Sequence, residues 1–529
     1  MVKPDRNQRP LWQFDLAWHE GTDAGDDAEL MRECAALFSG HYGKWGSEGP
    51  RPGQPVVMRA SKVADLLRHP DARLATARYD GELVGYAAAL RMLLDGDRRV
   101  VWVTQLVVHG AYRNARVATH MLYSIWHFSD CWAYGLVTAN PLAVRALETA
   151  TRRACRPKLI VDRAKELLPP LAAAAPYIPE ALVSDDEGRP TPRVDTEFFV
   201  SRDDMHALRD QAARGNRPWA LGDIGGGEEW FAATFGDQDP SPMTEAEISE
   251  LLRGADDIWI HAYELMTLDE DHRWRAHTQQ EMQHILGVTG VGKGRVLDVG
   301  CGDGRHTAAL AAAGFDVIGA EIAPALVATT REKYGSLDFR VVDARREVPD
   351  GPFDLVLCLY DVLGSSAEAH DDRRILANLH AATAPGGWLA LSVMNDGAIA
   401  DKIAEQHRPS SHQQFVRALE QLTPSRHMET TGSVFDPEAI LAFDGVYYRK
   451  EQFLRPGAHL PTELVVRDRR FTGDQLHRLV DDAGFTVESI APVQAGEWDR
   501  RPELAPSDSR AKEWLVIARK ADTAAPVKA

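Results

Sequence analysis

Cysteine is scarce. Cys34, Cys131, Cys155, Cys301 and Cys358 are the five in 529 residues, and no two stand at CxxC spacing, which leaves neither a disulfide framework nor a zinc cluster and predicts reduced, buried thiols. Long apolar runs are missing too. No stretch approaches a membrane span, and MVKPDRNQRPLWQFD at the start lacks the apolar centre of a secretory signal, so the expected location is the cytoplasm. Positive charge is in deficit, with 60 Lys and Arg against 78 Asp and Glu and a net charge of −18. Nucleic acid and anionic membranes are therefore not expected partners, because phosphate contacts need clustered cations. No metal is expected either: His261, His272, His277 and His284 are spaced by eleven, five and seven, which repeats no single helix face. There is no internal repeat. What is present is core-forming residues, 44% of the chain, at a length that suggests about two to four domains.

One stretch combines three structural signals in thirteen residues, Arg295 to Thr307, RVLDVGCGDGRHT. Val296, Leu297 and Val299 are apolar and β-prone. Gly300, Gly302 and Gly304 follow at spacings of two, where a chain without side chains can bend sharply and lie against a ligand. From His306 the sequence reads as helix, stopped at Gly314. A dinucleotide fingerprint would need a sixth-position glycine, and Arg305 stands there. A second strand, FDVIGAEI, ends at Glu321, an acid placed to accept hydrogen bonds from both ribose hydroxyls. A third, DFRVVDA, ends at Asp343, placed for an adenine amino group. A fourth, FDLVLCLYDVLG, carries Asp354. After a helix from Asp371 comes PGGWLALSVMN, a turn and a further buried strand.

In these residues the chain resembles the class I S-adenosylmethionine-dependent methyltransferases over roughly Asp256 to Lys520. VLDVGCGDG is similar to that family's first motif, FDLVLCLYDVLG to its fourth, and APGGWLALSV to its turn before strand five. The resemblance implies a Rossmann-like doubly wound sheet and S-adenosylmethionine as cofactor. It implies cofactor contacts from Asp298, Gly300, Cys301, Gly302 and Gly304 in the turn, from Glu321 and Ile322 after the second strand, and from Asp343, Ala344 and Cys358 farther on. Tyr263, on a helical stretch before the first strand, is expected as a lid contact.

Earlier in the chain, AELMRECAALF has helical spacing between Asp27 and Phe38, and LATARYDGELVGYAAALRML reads as two strands joined at Asp80-Gly81. The strand VVWVTQLVVHG leads into a helix expected to begin near Arg113. A basic turn between strand and helix offers free backbone amides to a pyrophosphate. YGLVTANPLAVRALETATRRA then gives a strand, Asn140, and a helix with Ala143 and Leu147 inward.

This order resembles the GNAT-type N-acetyltransferases, with QLVVHGAYRNARVATHML as the acyl-CoA motif and ANPLAVRALE after strand five. The resemblance implies a mixed α/β domain and acetyl-CoA as a second cofactor, held near Val108, Arg113, Arg116, Ala118 and Asn140. Two departures stand out. Arg116 occupies a position where the family has glycine, and Leu147 stands where it commonly has a tyrosine acid. As bases for acyl transfer, His109 and Tyr134 have better positions than Glu82 and Glu148, which read as solvated. Trp102, Trp126 and Trp132 read as packing residues.

The run GDIGGGEEWFAATF contains Gly225 to Gly227 without a following Lys-Ser/Thr, so it reads as a connector before a strand from Glu229 to Phe235. A helix capped by Thr244, with Glu247 three residues on, is expected near the boundary. Past strand five, a long insertion beginning at Asp396 is expected over the carboxyl edge of the sheet, before a Thr472-capped helix and a last strand, AKEWLVIARK. Tyr360 and Asp361, immediately after strand four, are the expected acceptor-orienting or catalytic pair. His370 and Asn395 are further candidates there, and Tyr447 and Tyr448 are candidates for an acceptor wall. The expected architecture is α/β throughout: a GNAT-like mixed domain at 12–237, a linker at 238–255, and a Rossmann-like methyltransferase domain at 256–520. The expected function is methylation of a small-molecule amine or hydroxyl plus acetyl-CoA-dependent N-acyl transfer. The alternative is a methyltransferase regulated by a non-catalytic acyl-CoA- or protein-binding module. The oligomeric state is not expected to be readable.

Overall fold

The computed structural model describes residues 14–95, 97–126, 129, 131–213, 218–244, 260, 276–366, 368–426, 435–453, 457–458, 460–494, 496–498 and 503–522. Tyr263, His261, His272 and the expected Thr244–Glu247 cap box fall wholly or partly outside them. The chain divides into two compact units. Unit 1 is residues 1–255 with 454–463, and unit 2 is residues 256–453 with 464–529.

Unit 1 contains strands β1 (Asp15–Glu20), β2 (Ala72–Tyr79), β3 (Glu82–Leu93), β4 (Arg99–Val108), β5 (Ala133–Thr138), β6 (Arg193–Asp195) and β7 (Glu228–Phe235). They form one sheet in the order β1-β2-β3-β4-β5-β7-β6. Its helices are α1 (Gly21–Asp26), α2 (Ala28–His41), α3 (Ala60–Leu66), α4 (Val117–Trp126), α5 (Pro141–Thr151), α6 (Pro157–Ala174) and α7 (Met205–Ala212). Asp27 caps α2 by accepting from the Glu29 and Leu30 amides, which fixes where that helix begins. The hairpin β2–β3 turns at Asp80-Gly81 as expected, with both residues at positive φ. Among the described residues of unit 1 only β4 and β5 pair in parallel, and their ladder stops at Val103–Leu136 although β4 runs on to Val108. The carboxyl ends of these two strands therefore separate.

Unit 2 contains β8 (Arg295–Val299), β9 (Asp316–Glu321), β10 (Asp338–Val341), β11 (Phe353–Cys358), β12 (Thr383–Met394), β13 (Ser425–Arg426), β14 (Leu441–Phe443), β15 (Val446–Phe453), β17 (Phe485–Val493) and β18 (Glu513–Lys520). A further strand, β16 (Thr462–Asp468), pairs with β15. The helices are α8 (Thr278–Thr289), α9 (Arg305–Ala312), α10 (Pro324–Tyr334), α11 (Ala369–Ala382), α12 (His412–Gln421) and α13 (Gly473–Asp482). The main sheet runs β10-β9-β8-β11-β12-β18-β17. The strands from β10 to β12 are parallel, and β18 is antiparallel to both neighbours. Strands covered on both faces need continuous apolar sequence, which is why Val296, Leu297, Val356 and Leu357 are all fully buried. The strand order reverses between β8 and β11, the place where ligands bind open sheets of this kind. Thr472 caps α13 through a reciprocal box with Gln475, as expected.

Several local expectations are corrected. The helix expected near Arg113 begins at Val117, because Asn114 (φ 67°) and Arg116 (φ 62°) are left-handed and cannot continue it. Glu148, expected to be solvated, is buried, accepting from Arg145 and from the Cys155 amide. Tyr134 is buried against Trp126 and its hydroxyl donates to the Ser129 carbonyl, so it is a packing residue and not a base. Tyr447 and Tyr448 belong to the interior of the insertion: one donates to Asp396, the other packs on Phe415 at 4.6 Å.

Candidate functional site

In unit 2 the site grows from the tip of β8. Gly300, Gly302 and Gly304 have φ of 70°, 54° and 76°, a sequence of left-handed residues that side chains resist. They are glycine for different reasons. A Cβ on Gly304 would lie 2.7 Å from Phe339 and Thr330, whereas one on Gly302 would meet nothing within 4 Å. The turn at Gly302 faces open space.

Glu321, at the tip of β9, closes over that turn. One carboxylate oxygen accepts from the Gly302 amide at 3.0 Å, and the other accepts from the Ile322 and Ala323 amides at 2.8 and 3.2 Å. Burial raises its pKa despite those three donors. The oxygen facing Gly302 keeps acceptor capacity for a hydroxyl. Asp298 is fixed by the Thr307 hydroxyl at 2.7 Å, tying β8 to α9. The thiols of Cys301 and Cys358 are buried, and burial pushes both well up, so neither is a nucleophile. Ala344 is buried, Ile322 half-buried. Asp343 does stand after β10, but Arg345 grips its carboxylate at 2.8 and 3.0 Å. Burial would raise that acid, and the arginine outweighs it, holding it below the usual range.

Beyond β11 the backbone turns through Tyr360 (φ 57°) and Asp361 (φ 69°), two consecutive side-chain-bearing residues in left-handed conformation. Such strain persists only where surroundings impose it. The Tyr360 amide donates to the Ser392 hydroxyl at 2.8 Å, and that hydroxyl contacts Glu513. The Tyr360 phenol donates to Glu281 of α8, which also receives Arg305 and His306, each at 2.7 Å. Glu281 is wholly buried. Burial favours its neutral form, but the His306 hydrogen bond and the Arg305 charge bring it down to about 2, so it stays ionised. Asp361 is pushed up to about 7 by burial and then by Asp468. Two candidates fall away. His370 lies exposed at the start of α11, and Asn395 is buried, donating to the Pro506 and Ala511 carbonyls.

Sequence reasoning missed Glu281, Ser392 and Glu513. Glu281 is separated from Tyr360 by 79 positions, and no spacing rule connects such partners.

In unit 1 the side chains of the turn between β4 and α4 are engaged within the protein. Arg113 folds back, its guanidinium donating to the Val108 carbonyl at 3.3 Å and to that of His41. The His109 ring packs tilted against His41, 3.8 Å between centroids, and its Nδ1 accepts from the Ala111 amide at 3.1 Å. With that lone pair occupied, His109 is a cap and not a free base. Asn140 caps α5 through the Leu142 amide. Arg116 and Ala118 flank the start of α4, both half-buried, and Leu147 is fully buried.

Comparison with known proteins finds two family profiles. One described as a methyltransferase domain matches residues 296–387, and one described as the acetyltransferase (GNAT) family matches residues 37–149. A ubiquinone biosynthesis O-methyltransferase of Pseudomonas paraeruginosa is 30% identical over 162 residues, 29% of this chain and 65% of that protein. The chain thus spans less than two thirds of that relative's length. A protein of the same description from Xanthomonas campestris pv. campestris is 37% identical over 108 residues, 19% of this chain and 43% of that one. Among solved structures, an S-adenosylmethionine-dependent methyltransferase from Clostridium acetobutylicum aligns at 11% identity and TM-score 0.33, covering 50% of this chain and 98% of that one. CalS10, an amino pentose methyltransferase from Micromonospora echinaspora, aligns at 19% and TM-score 0.32, covering 50% and 97%. Among the described residues, no helix is long and apolar enough to cross a membrane. Two separate segments of the chain are thus similar to known families, residues 37–149 to the GNAT acetyltransferases and residues 296–387 to methyltransferase domains.

Proposed function

We propose that unit 2 methylates a small molecule at an amine or hydroxyl, with S-adenosylmethionine as donor. The observation that carries this reading is the glycine turn at Gly302, open toward solvent and flanked by the Glu321 carboxylate. A side-chain-free backbone beside an acceptor at a strand-order reversal suits an adenosyl ligand, its ribose against Glu321. When bound, that cofactor supplies an electrophilic methyl carbon on a positively charged sulfur. The chain's own residues supply position. Glu281 and Ser392 hold the Tyr360–Asp361 turn rigid, and a fixed approach geometry is worth much of the barrier in such a displacement. Asp361, with a carboxyl near neutrality, suits removing a proton from an acceptor.

Calorimetry with S-adenosylhomocysteine tests the reading. Wild type is expected to bind, Gly302→Val to lose binding, and Glu321→Ala to weaken it by roughly 1–3 kcal/mol, the cost of a lost charged hydrogen-bond partner. Unchanged affinity in both variants defeats the pose.

For unit 1 the proposal is acyl-CoA binding at the turn between β4 and α4, followed by acyl transfer to an amine. A second reading is favoured by particular observations: Leu147 is buried, the His109 lone pair is engaged, and Arg113 is turned back. These suit a module that binds without catalysis. Acetyl-CoA titration followed by thioester assay separates the two. Binding without transfer, with a changed methylation rate, selects the regulatory module.

A further inference from the structure

Glu513 opens β18 opposite Met394 of β12. Its residue is 6% exposed; its carboxylate meets the Ser392 hydroxyl, and Oε2 has no hydrogen-bond partner. Asp361 accepts from the Met394 amide, while its Oδ1 likewise has no partner. The two acids thus flank one residue of β12, and the Asp361 charge acts on Glu513, whose pKa burial already raises. The neighbouring acids are served differently. Asp468 is gripped by Arg449 and by Arg470 at 2.9 Å, and Glu281 by Arg305 at 2.7 Å. Among the described residues no ion pair within 4 Å reaches Asp361 or Glu513; the charges of Arg470 and Arg449 act on Asp361 and that of Arg305 on Glu513 only from farther off, where burial outweighs them.

A buried acceptor left without a donor costs about 1–3 kcal/mol, more when charged. Two together, close enough to repel, are a poor arrangement for the protein alone and a good one for a bound cation. A second feature points the same way. Trp498, 5% exposed, stacks on Tyr360 at 6.2 Å between ring centroids, and its indole N–H also lacks a partner. Tyr360 in turn feels the Glu513 charge. Arg305 already lies over the Tyr360 ring at 4.8 Å, so this aromatic corner beside the carboxylates holds a guanidinium in the protein alone, and Trp498 is the aromatic side chain left to meet an organic cation.

We propose that Asp361 and Glu513 form the recognition site for a protonated amine, which gives one proton to Asp361 before its freed nitrogen lone pair takes the methyl group, so that the acceptor of unit 2 is an amine and not an alcohol. This rests on the methyltransferase reading of the same site. An ammonium brings several N–H donors and a positive charge to the two unsatisfied oxygens, whereas an alcohol brings one donor and no charge. Carboxylate or phosphate groups on a ligand would be repelled there.

The test is calorimetry on the full-length protein with matched probes, benzylamine against benzyl alcohol and cyclohexylamine against cyclohexanol, each with and without saturating S-adenosylhomocysteine. Wild type is expected to bind the amines about tenfold or more tightly than the alcohols, and Glu513→Gln to shrink that gap below about threefold. Asp361→Asn is expected to do the same, and it carries the test if Glu513→Gln fails to fold. Equal binding of amine and alcohol by wild type overturns the proposal, as does an undiminished preference in both variants. If S-adenosylhomocysteine itself does not bind, the methyl-donor reading fails, and the titrations without it still judge the carboxylate pair.

Discussion

Arg116 holds a left-handed backbone, φ 62°, while carrying a full side chain. For a residue with a Cβ that conformation costs roughly 1–2 kcal/mol, and glycine escapes it. The position is the one where the resembling family has glycine, so the turn's shape has been kept and the residue that relieves it has not. Arg116→Gly is therefore expected to stabilise unit 1 by about 0.5–1 kcal/mol after the extra entropy of glycine in the unfolded chain is subtracted. Urea denaturation checks it, and a loss of stability would mean that side-chain contacts of Arg116 outweigh the strain. Asp361 gives a prediction in pH. Its folded pKa, about 7, stands above its ordinary 3.8. A raised acid contributes stability that is full below about pH 4 and lost as pH rises through about 7. The groups that set this are Asp468, Arg470, Arg449 and Glu513. Asn cannot ionise but keeps an acceptor for the Met394 amide. Asp361→Asn should match wild type near pH 4 and melt about 2–8 °C higher at pH 8. A melting difference that does not vary between pH 4 and pH 8 would contradict the assigned burial of charge.

At the scale of elements, α8 packs on the sheet through buried Met282 and Ile285, and its charged link to the sheet tip runs through Glu281. Glu281 accepts from Tyr360, Arg305 and His306, and Arg305 also donates to Thr278 at 2.9 Å on the same helix. Removing the acid takes the carboxylate counter-charge from the Arg305 guanidinium, whose side chain is only 11% exposed, and leaves it its neutral partners Thr278 and Tyr360. Glu281→Ala is expected to cost about 3–5 kcal/mol, as for other broken buried pairs, and Glu281→Gln less. Denaturant midpoints with an unchanged slope check this, and a cost below about 1 kcal/mol would show that α8 does not depend on the pair. The elements themselves were largely readable. Continuous apolar runs marked β8, β11 and β12, Asp80-Gly81 marked a hairpin, and Thr472 marked the start of α13. What escaped reading was held by distant partners or by strain. The α4 boundary moved because Asn114 and Arg116 adopt left-handed backbones that their residue types do not announce. Glu148 looked solvated because its acceptor role depends on the Cys155 amide and Arg145. In the candidate site, the glycine turn and Glu321 were legible from local pattern, whereas Glu281 and Glu513 meet the Tyr360–Asp361 turn only through folding.

At the scale of the whole molecule, sequence order and structural membership disagree in one place. Residues 454–463 follow β15 in the chain, yet they belong to unit 1. There Thr462 donates to Glu20 at 2.6 Å, the Leu460 amide donates to Asp71 at 2.8 Å, and Glu463 lies 3.8 Å from Arg99. Glu20 also pairs with Arg91 at 3.0 Å and Arg73 at 3.5 Å, all of them buried. A fragment ending at residue 255 therefore loses two hydrogen bonds to buried carboxylates and one acid from a cluster of arginines. Each hydrogen bond to a charged group is worth about 1.5–3 kcal/mol, so the loss is a substantial part of a typical domain stability. This bears on how to test the proposal that acyl and methyl transfer act in succession on one substrate, where linkage would help through effective concentration. Separating the halves by a single cut also damages unit 1, and a slower reaction would then have two causes. The expected outcome is that fragment 1–255 melts early, and that a synthetic peptide of residues 454–463 in excess raises its melting temperature by mass action. The same fragment carrying Glu20→Gln and Asp71→Asn should respond much less. If the peptide leaves the unmodified fragment unchanged, the segment adds nothing to unit 1, and mixed halves become a fair test of coupling between the two activities.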